Sequence, residues 1–98
     1  MRLGGDIMEA IKKGNQQFYI GDNEENAVAY IKYRQKDAHT IIANSTFVDP
    51  SLRGKQIAKK LLDRLALFAR EEHLKIEPTC SYVVKAFERY SEYEDVKA

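Results

Sequence analysis

The chain has one cysteine, Cys80, among 98 residues, so no internal disulfide is possible and a cytoplasmic setting is expected. No apolar run approaches the roughly 20 residues that span a bilayer, and Met1 to Asp6 lacks the charged and apolar regions of a signal peptide. Neither membrane insertion nor export is expected. Charge of one sign is also missing. Sixteen Lys plus Arg against fifteen Asp plus Glu give a formal net charge of +1, which supplies no global pull toward nucleic acid. Any basic patch must therefore be local. No His, Cys and Asp cluster has metal-ligand spacing, so no metal is expected. There are no internal repeats, linkers or low-complexity segments. The length fits one domain over residues 1–98, with 1–6 a disordered leader around Gly4-Gly5 and the molecule a monomer or weak homodimer.

What is present is organised around the stretch from Ile41 to Leu62. A β-branched run comes first, then a polar loop from Asp49 to Gly54, then an apolar-striped helix with a basic first turn. The first N–H groups of a helix have no intrahelical partners, and the helix dipole places partial positive charge there. A strand feeding such a loop is an anion site in waiting. Arg53, Lys55, Lys59 and Lys60 add full charges at the same end. The expected ligand is a phosphate or pyrophosphate.

The rest of the chain is read in order. Strands are expected at Met8 to Lys12 and Gln17 to Gly21 around a turn at Gly14-Asn15. A third strand, Ala27 to Arg34, sets Val28, Tyr30 and Lys32 on one face and Ala29, Ile31 and Tyr33 on the other. Both faces are partly apolar, as in a sheet covered on both sides. Gln35 to Asp37 reads as a turn and Thr40 to Val48 as the longest strand. Asn44-Ser45 marks a bulge or a place where polar groups serve a ligand. Pro50 ends that strand. The main helix is expected from about Gly54 to Glu72, burying Ile57, Leu61, Leu65 and Phe68, with Arg64 and Arg70 nearer water. His73 closes it, and a strand at Leu74 to Ile76 stops at Pro78. Strand, helix and strand then form a right-handed crossover with a parallel pair. Ser81 is the expected N-cap of a last helix to about Tyr90, followed by a polar tail, Ser91 to Ala98, that frays unless Tyr93 and Val96 dock back. The fold class is α/β (α+β): about five mostly antiparallel strands, a main helix after the long strand and a C-terminal helix.

Arg53-Gly54-Lys55-Gln56-Ile57-Ala58 resembles the Gln/Arg-x-x-Gly-x-Gly/Ala motif of the GCN5-related N-acetyltransferases, the GNAT superfamily. Gln56 stands at the motif's central Gly. The likeness covers nearly the whole chain and is greatest to the minimal, single-domain branch. It includes Phe18-Tyr19-Ile20-Gly21-Asp22, Tyr33-Arg34, Ala58-Lys59-Lys60-Leu61-Leu62, Pro78-Thr79-Cys80-Ser81-Tyr82 and Tyr93-Glu94-Asp95-Val96. Ser45 stands where that branch often has His, and a cysteine at the position of Cys80 is a mark of the branch. The resemblance implies acetyl-CoA as co-substrate and a small-molecule or protein amine as acceptor. It implies cofactor contacts from Phe47, Val48, Arg53, Gly54, Lys55, Gln56, Ile57, Ala58 and Lys59, and it makes Cys80 the catalytic candidate.

Acetyl transfer needs a neutral amine, yet a lysine-like amine has a pKa near ~10.4, so a proton must be removed. A strand N–H near Phe47 is a candidate to polarise the thioester carbonyl. Cys80, just before a helix, either accepts the acetyl group or lines its pocket, against the plain alternative of an inert buried thiol. His73 reads as a helix C-cap and His39 as a surface residue. Tyr82, Tyr90 and Tyr93 are candidate proton donors among which the sequence does not choose. Two other readings remain open: a GNAT-like module that binds CoA or another anion without turnover, and a nucleic-acid-binding domain using the basic helix start.

Overall fold

The computed structural model describes residues 10–98, so the expected leader and the first two residues of the expected first strand lie outside the described residues; of the rest, Ala10 and Ile11 are not strand, and β1 begins at Lys12. One sheet carries five strands in sequential order: β1 (Lys12–Gly14), β2 (Gln17–Gly21), β3 (Ala27–Asp37), β4 (Thr40–Val48) and β5 (Lys75–Pro78). Every pair is antiparallel except β4–β5, which is parallel and bridged by helix α1 (Ile57–Glu71). Helix α2 (Ser81–Arg89) and a short 3-10 turn, Ser91–Tyr93, complete the chain. The mixed sheet with its parallel pair and two helices is the expected α+β class.

The β1–β2 turn falls at Asn15-Gln16, with Gln16 at φ 60°, one residue later than the sequence suggests. Glu24 holds that turn by accepting from the Asn15 N–H at 3.2 Å and from Gln17 Nε2 at 2.9 Å. Its carboxyl lies 2.7 Å from where a Cβ on Gly14 would stand, so a side chain there would displace Glu24 from the turn. Gln35 to Asp37 is strand, not turn: β3 runs through Asp37 and turns at Ala38-His39.

Among the described residues α1 covers one face of the sheet, and on the other face Gln17 and Ile42 are still buried, at 7% and 6% exposed. Ala29, Ile31 and Tyr33 are buried beneath α1, whereas Val28 is 40% exposed and Lys32 faces water. The expectation of cover on both sides is not met at β3 among the described residues, where Val28 is exposed and Tyr30 half-buried. Helix α1 buries Ile57, Leu61, Leu62, Leu65, Ala66 and Ala69. Phe68 sits among Phe18 and Tyr33, with ring centroids 5.6 and 5.5 Å away. Truncating Leu61 or Leu65 to Ala would cost about 2–5 kcal/mol. Arg64 is not on the solvated side: its guanidinium lies 4.7 Å over the Phe18 ring.

The helix begins at Ile57 rather than Gly54, because Gly54 (φ 87°) and Gln56 (φ 58°) adopt left-handed conformations that a helix cannot contain. It ends through backbone geometry. His73 takes φ 59°, its N–H donates to the Arg70 carbonyl, and the Leu74 N–H donates to the Ala69 carbonyl. That is the Schellman arrangement, so His73 ends the helix by its conformation and not by its imidazole. At α2 the N-cap is Cys80, not Ser81; Ser81 is the first helical residue. The tail docks: Tyr93 and Val96 are each 1% exposed, and the Ile76 N–H donates to the Val96 carbonyl at β5's outer edge. Arg70 grips both Asp95 carboxylate oxygens, at 2.7 and 3.0 Å. Among the described residues no helix is long and apolar enough to cross a membrane.

Candidate functional site

The site begins with a register error in β4. Lys32 faces Ser45 and Tyr33 faces Ala43, so Asn44 is the extra residue of a β-bulge. The Asn44-Ser45 signal was therefore structural. On the other side, the parallel pairing with β5 stops at Ala43–Pro78. Past those residues β4 continues to Val48 while β5 gives way to α2, so a gap opens beside the second half of β4.

One carbonyl fixes the far wall of that gap. The oxygen of Ala43 accepts from the N–H groups of Thr79 and Cys80, at 3.1 and 3.2 Å, and from Thr79 Oγ1 at 3.3 Å. This pins Cys80 against β4, and its Sγ donates to Thr46 Oγ1 at 3.4 Å. Cys80 is half-buried, not sealed in the core.

The near wall is the backbone of β4. The Asp49 N–H donates to the Val28 carbonyl. Antiparallel pairs alternate between bonded and unbonded, so Phe47 bonds Tyr30 while Thr46 and Val48 turn their backbone groups toward the gap. The N–H sought near Phe47 thus belongs to its neighbours. The Phe47 side chain points to the uncovered face, where its ring lies 5.4 Å from that of Tyr30.

At the end of β4 the chain turns through Pro50–Leu52. Asp49 caps this turn, accepting from the Ser51 N–H at 3.0 Å and the Ser51 hydroxyl at 2.6 Å, which holds its carboxyl below the usual carboxylate range. The turn sets Arg53 to Ala58 over the start of α1. A cleft of about 230 Å³ lies there, lined by Val48, Leu52, Arg53, Gly54, Gln56, Ile57 and Ala58. No side chain caps α1, so its leading N–H groups remain available at the cleft. Gly54 has open space where a Cβ would stand, so its glycine serves φ and not room. Gln56 takes the left-handed conformation without being glycine, at a cost of order 1 kcal/mol.

Of the cations expected at this end, Arg53 lines the cleft, and Arg53 and Lys55 form no ion pair among the described residues. Lys59 is differently engaged. Its Nζ lies 2.7 Å from Glu92 and 3.4 Å from Asp63, over the rings of Tyr90 and Tyr93, and the Glu92 hydrogen bond raises its pKa. Sequence reasoning missed this network, because Glu92 and Tyr93 lie in the tail. Tyr93 donates its hydroxyl to Asp63, and burial with that bond drives its phenol far above the usual tyrosine range. Burial also raises Tyr82. His39 lies in the turn before β4, at the end remote from the gap, and His73 ends α1, so neither imidazole joins the site. Among the described residues no group of His, Cys, Asp and Glu could hold a metal ion.

Comparison with known proteins agrees with this geometry. A family model described as GCN5-related N-acetyl-transferase matches residues 17–96. The solution structure of a GCN5-like protein from Staphylococcus aureus superposes with a TM-score of 0.78 at 42% identity, covering 90% of this chain and 86% of that one. An acetyltransferase of the GNAT family from Staphylococcus aureus Mu50 gives 0.57 at 27% identity, over 78% of this chain and 49% of that one. Rv2747 from Mycobacterium tuberculosis, solved in complex with CoA, shares the fold with a TM-score of 0.52 at 20% identity, over 62% of this chain and 39% of that one. No curated protein sequence matches the chain. With the family model spanning both walls of the gap and the cleft at the start of α1, the chain belongs to the GCN5-related N-acetyltransferase family.

Proposed function

We propose that the chain is a single-domain, acetyl-CoA-dependent N-acetyltransferase that acts on an amine acceptor. The observation that carries this reading is the continuity of two features along β4: the gap at Asn44 to Thr46 and the cleft at Arg53 to Ala58. The residues fit the co-substrate. Uncapped N–H groups, Arg53 and Lys55 suit a pyrophosphate. The apolar wall of Val48, Leu52 and Ile57 suits the pantetheine stem. The same-fold Mycobacterium tuberculosis protein was solved with CoA, and the family is shared with the Staphylococcus aureus relative. Acetyl-CoA supplies the activated thioester.

The chain's own work is positioning and proton handling. Holding amine and thioester together contributes about 7–11 kcal/mol. The N–H groups of Thr46 and Val48 face the gap, where a carbonyl oxygen would gain negative charge. In the transfer a C–N bond forms, the C–S bond breaks, the amine loses a proton and the CoA thiolate gains one. Tyr93 is bound to Asp63, which leaves Tyr82 and Tyr90 as donors to that thiolate. Cys80 lines the thioester end of the gap. A lone free thiol is consistent with the cytoplasmic setting proposed for the chain.

One observation favours the alternative, a CoA-binding module without turnover: no imidazole stands at the gap, since Ser45 occupies the place and both histidines lie elsewhere. Calorimetry with acetyl-CoA, followed by thiol release with mixed amines, separates the two. Saturable binding with thiol release supports the transferase, binding without release supports the module, and no binding overturns both.

A further inference from the structure

The face of the sheet turned away from α1 carries an ordered row of side chains that acetyl-CoA binding does not use. Cross-strand partners share a face, so Lys12, Tyr19, Tyr30 and Phe47 lie side by side across β1 to β4. Lys32 and Arg34 continue along β3 on the same face. Phe47 is 38% exposed, so its ring has no cover of its own. Cations outnumber carboxylates on this face. Lys32 Nζ stands 4.6 Å over the Tyr30 ring and Lys12 Nζ 6.0 Å over Tyr19. Of its carboxylates, Glu77 is paired with Lys36 at 2.7 Å, while Glu24, held by Gln17 Nε2 and the Asn15 N–H at the β1–β2 turn, keeps its charge. The row also reaches the reaction gap, because Ser45 pairs with Lys32 and adjoins the bulged Asn44. A molecule bound here approaches the gap from the side opposite the α1 cleft.

We propose that this face docks the amine acceptor, and that the acceptor is an acidic polypeptide segment. Charge complementarity sets the choice: the face offers three exposed cations beside apolar rings, which suits carboxylates flanked by apolar side chains. Single-stranded nucleic acid suits it less well: serial base stacking needs several free ring faces, and Lys32 stands over that of Tyr30. The identity of the docked molecule as acceptor rests on the acetyl-transfer reading above; the docking itself does not.

The test is fluorescence anisotropy on the full chain with three labelled probes: an acidic peptide with one central lysine, the same peptide with its acids changed to glutamine, and oligo(dT). CoA binding is followed by calorimetry in the same samples. The acidic peptide is expected to bind, to weaken with added salt, and to lose about fivefold or more in affinity in Lys32→Glu and in Lys32→Glu with Arg34→Glu. Both variants change exposed side chains, and CoA affinity should hold in both. Equal binding of the acidic and glutamine peptides, or no effect of Lys32→Glu, overturns the proposal. So does tighter binding of oligo(dT), or a salt-resistant dimer that occupies the face. Loss of CoA binding with peptide binding intact would strike the transferase reading alone.

Discussion

The thiol of Cys80 stands 3.4 Å from the hydroxyl of Thr46, across the gap between β4 and the chain leaving β5. Two residues 34 positions apart in sequence thus mark one place, the proposed thioester end. Cys80→Ala should lower or abolish acetyl transfer while CoA affinity stays within a few fold. Iodoacetamide should modify Cys80 in the free protein, and acetyl-CoA should protect it. An unreactive thiol, with a substitution that changes stability alone, would make Cys80 a core residue.

Arg53 lines the cleft at the start of α1, and neither it nor nearby Lys55 forms an ion pair among the described residues. Arg53→Ala with Lys55→Ala should raise the CoA dissociation constant about tenfold or more without unfolding the domain, and should flatten its salt dependence. Calorimetry at two ionic strengths reads both effects. Unchanged affinity would place the anion elsewhere.

Gln56 holds φ 58°, a conformation that glycine adopts freely. Gln56→Gly should therefore raise thermal stability by up to about 1 kcal/mol and bind CoA as tightly or more tightly. A clear loss of affinity would mean that the Gln56 side chain itself contacts the ligand.

Lys59, named by the sequence as a cofactor residue, has its ammonium on Glu92 and Asp63. Lys59→Met should alter stability by no more than about 1 kcal/mol, the screened value for a partly exposed pair, and CoA affinity less than the Arg53 and Lys55 double change. A tenfold loss of affinity in Lys59→Met would restore it to the site.

Tyr93 gives an alkaline signature. Its phenol pKa is raised by burial and by Asp63, so the native state favours the protonated form. That stability is fully present below the unfolded tyrosine pKa of about 10 and declines as pH rises beyond it. Titration of tyrosinate absorbance should show one phenol that ionises only on unfolding, and Tyr93→Phe should remove that step. Six phenols titrating together in native protein would contradict the buried bond.

Local chemistry made much of the fold legible in the sequence. The stripe Ile57, Leu61 and Leu65 has the helical period, Pro50 stops β4, and Thr40 to Val48 is β-prone throughout, so strand, loop and helix followed from neighbours in sequence. The Arg53 to Ala58 motif lies within one such unit and was visible for the same reason. Even the bulge was signalled, by polar Asn44-Ser45 inside an apolar run. Long-range contacts decided the rest. Periodicity could assign Val28 and Tyr30 to one face but could not say that Val28 would stay exposed there. Lys59 looked like a free cation until the tail folded back to bring Glu92 within 2.7 Å. The carbonyl of Ala43 chose where Cys80 would stand, and the β3 ladder chose which β4 amides would face the gap. Charges and backbone groups acquire partners only when distant segments meet, so the sequence determined the elements and their motif, and the tertiary structure determined which groups remained free for chemistry.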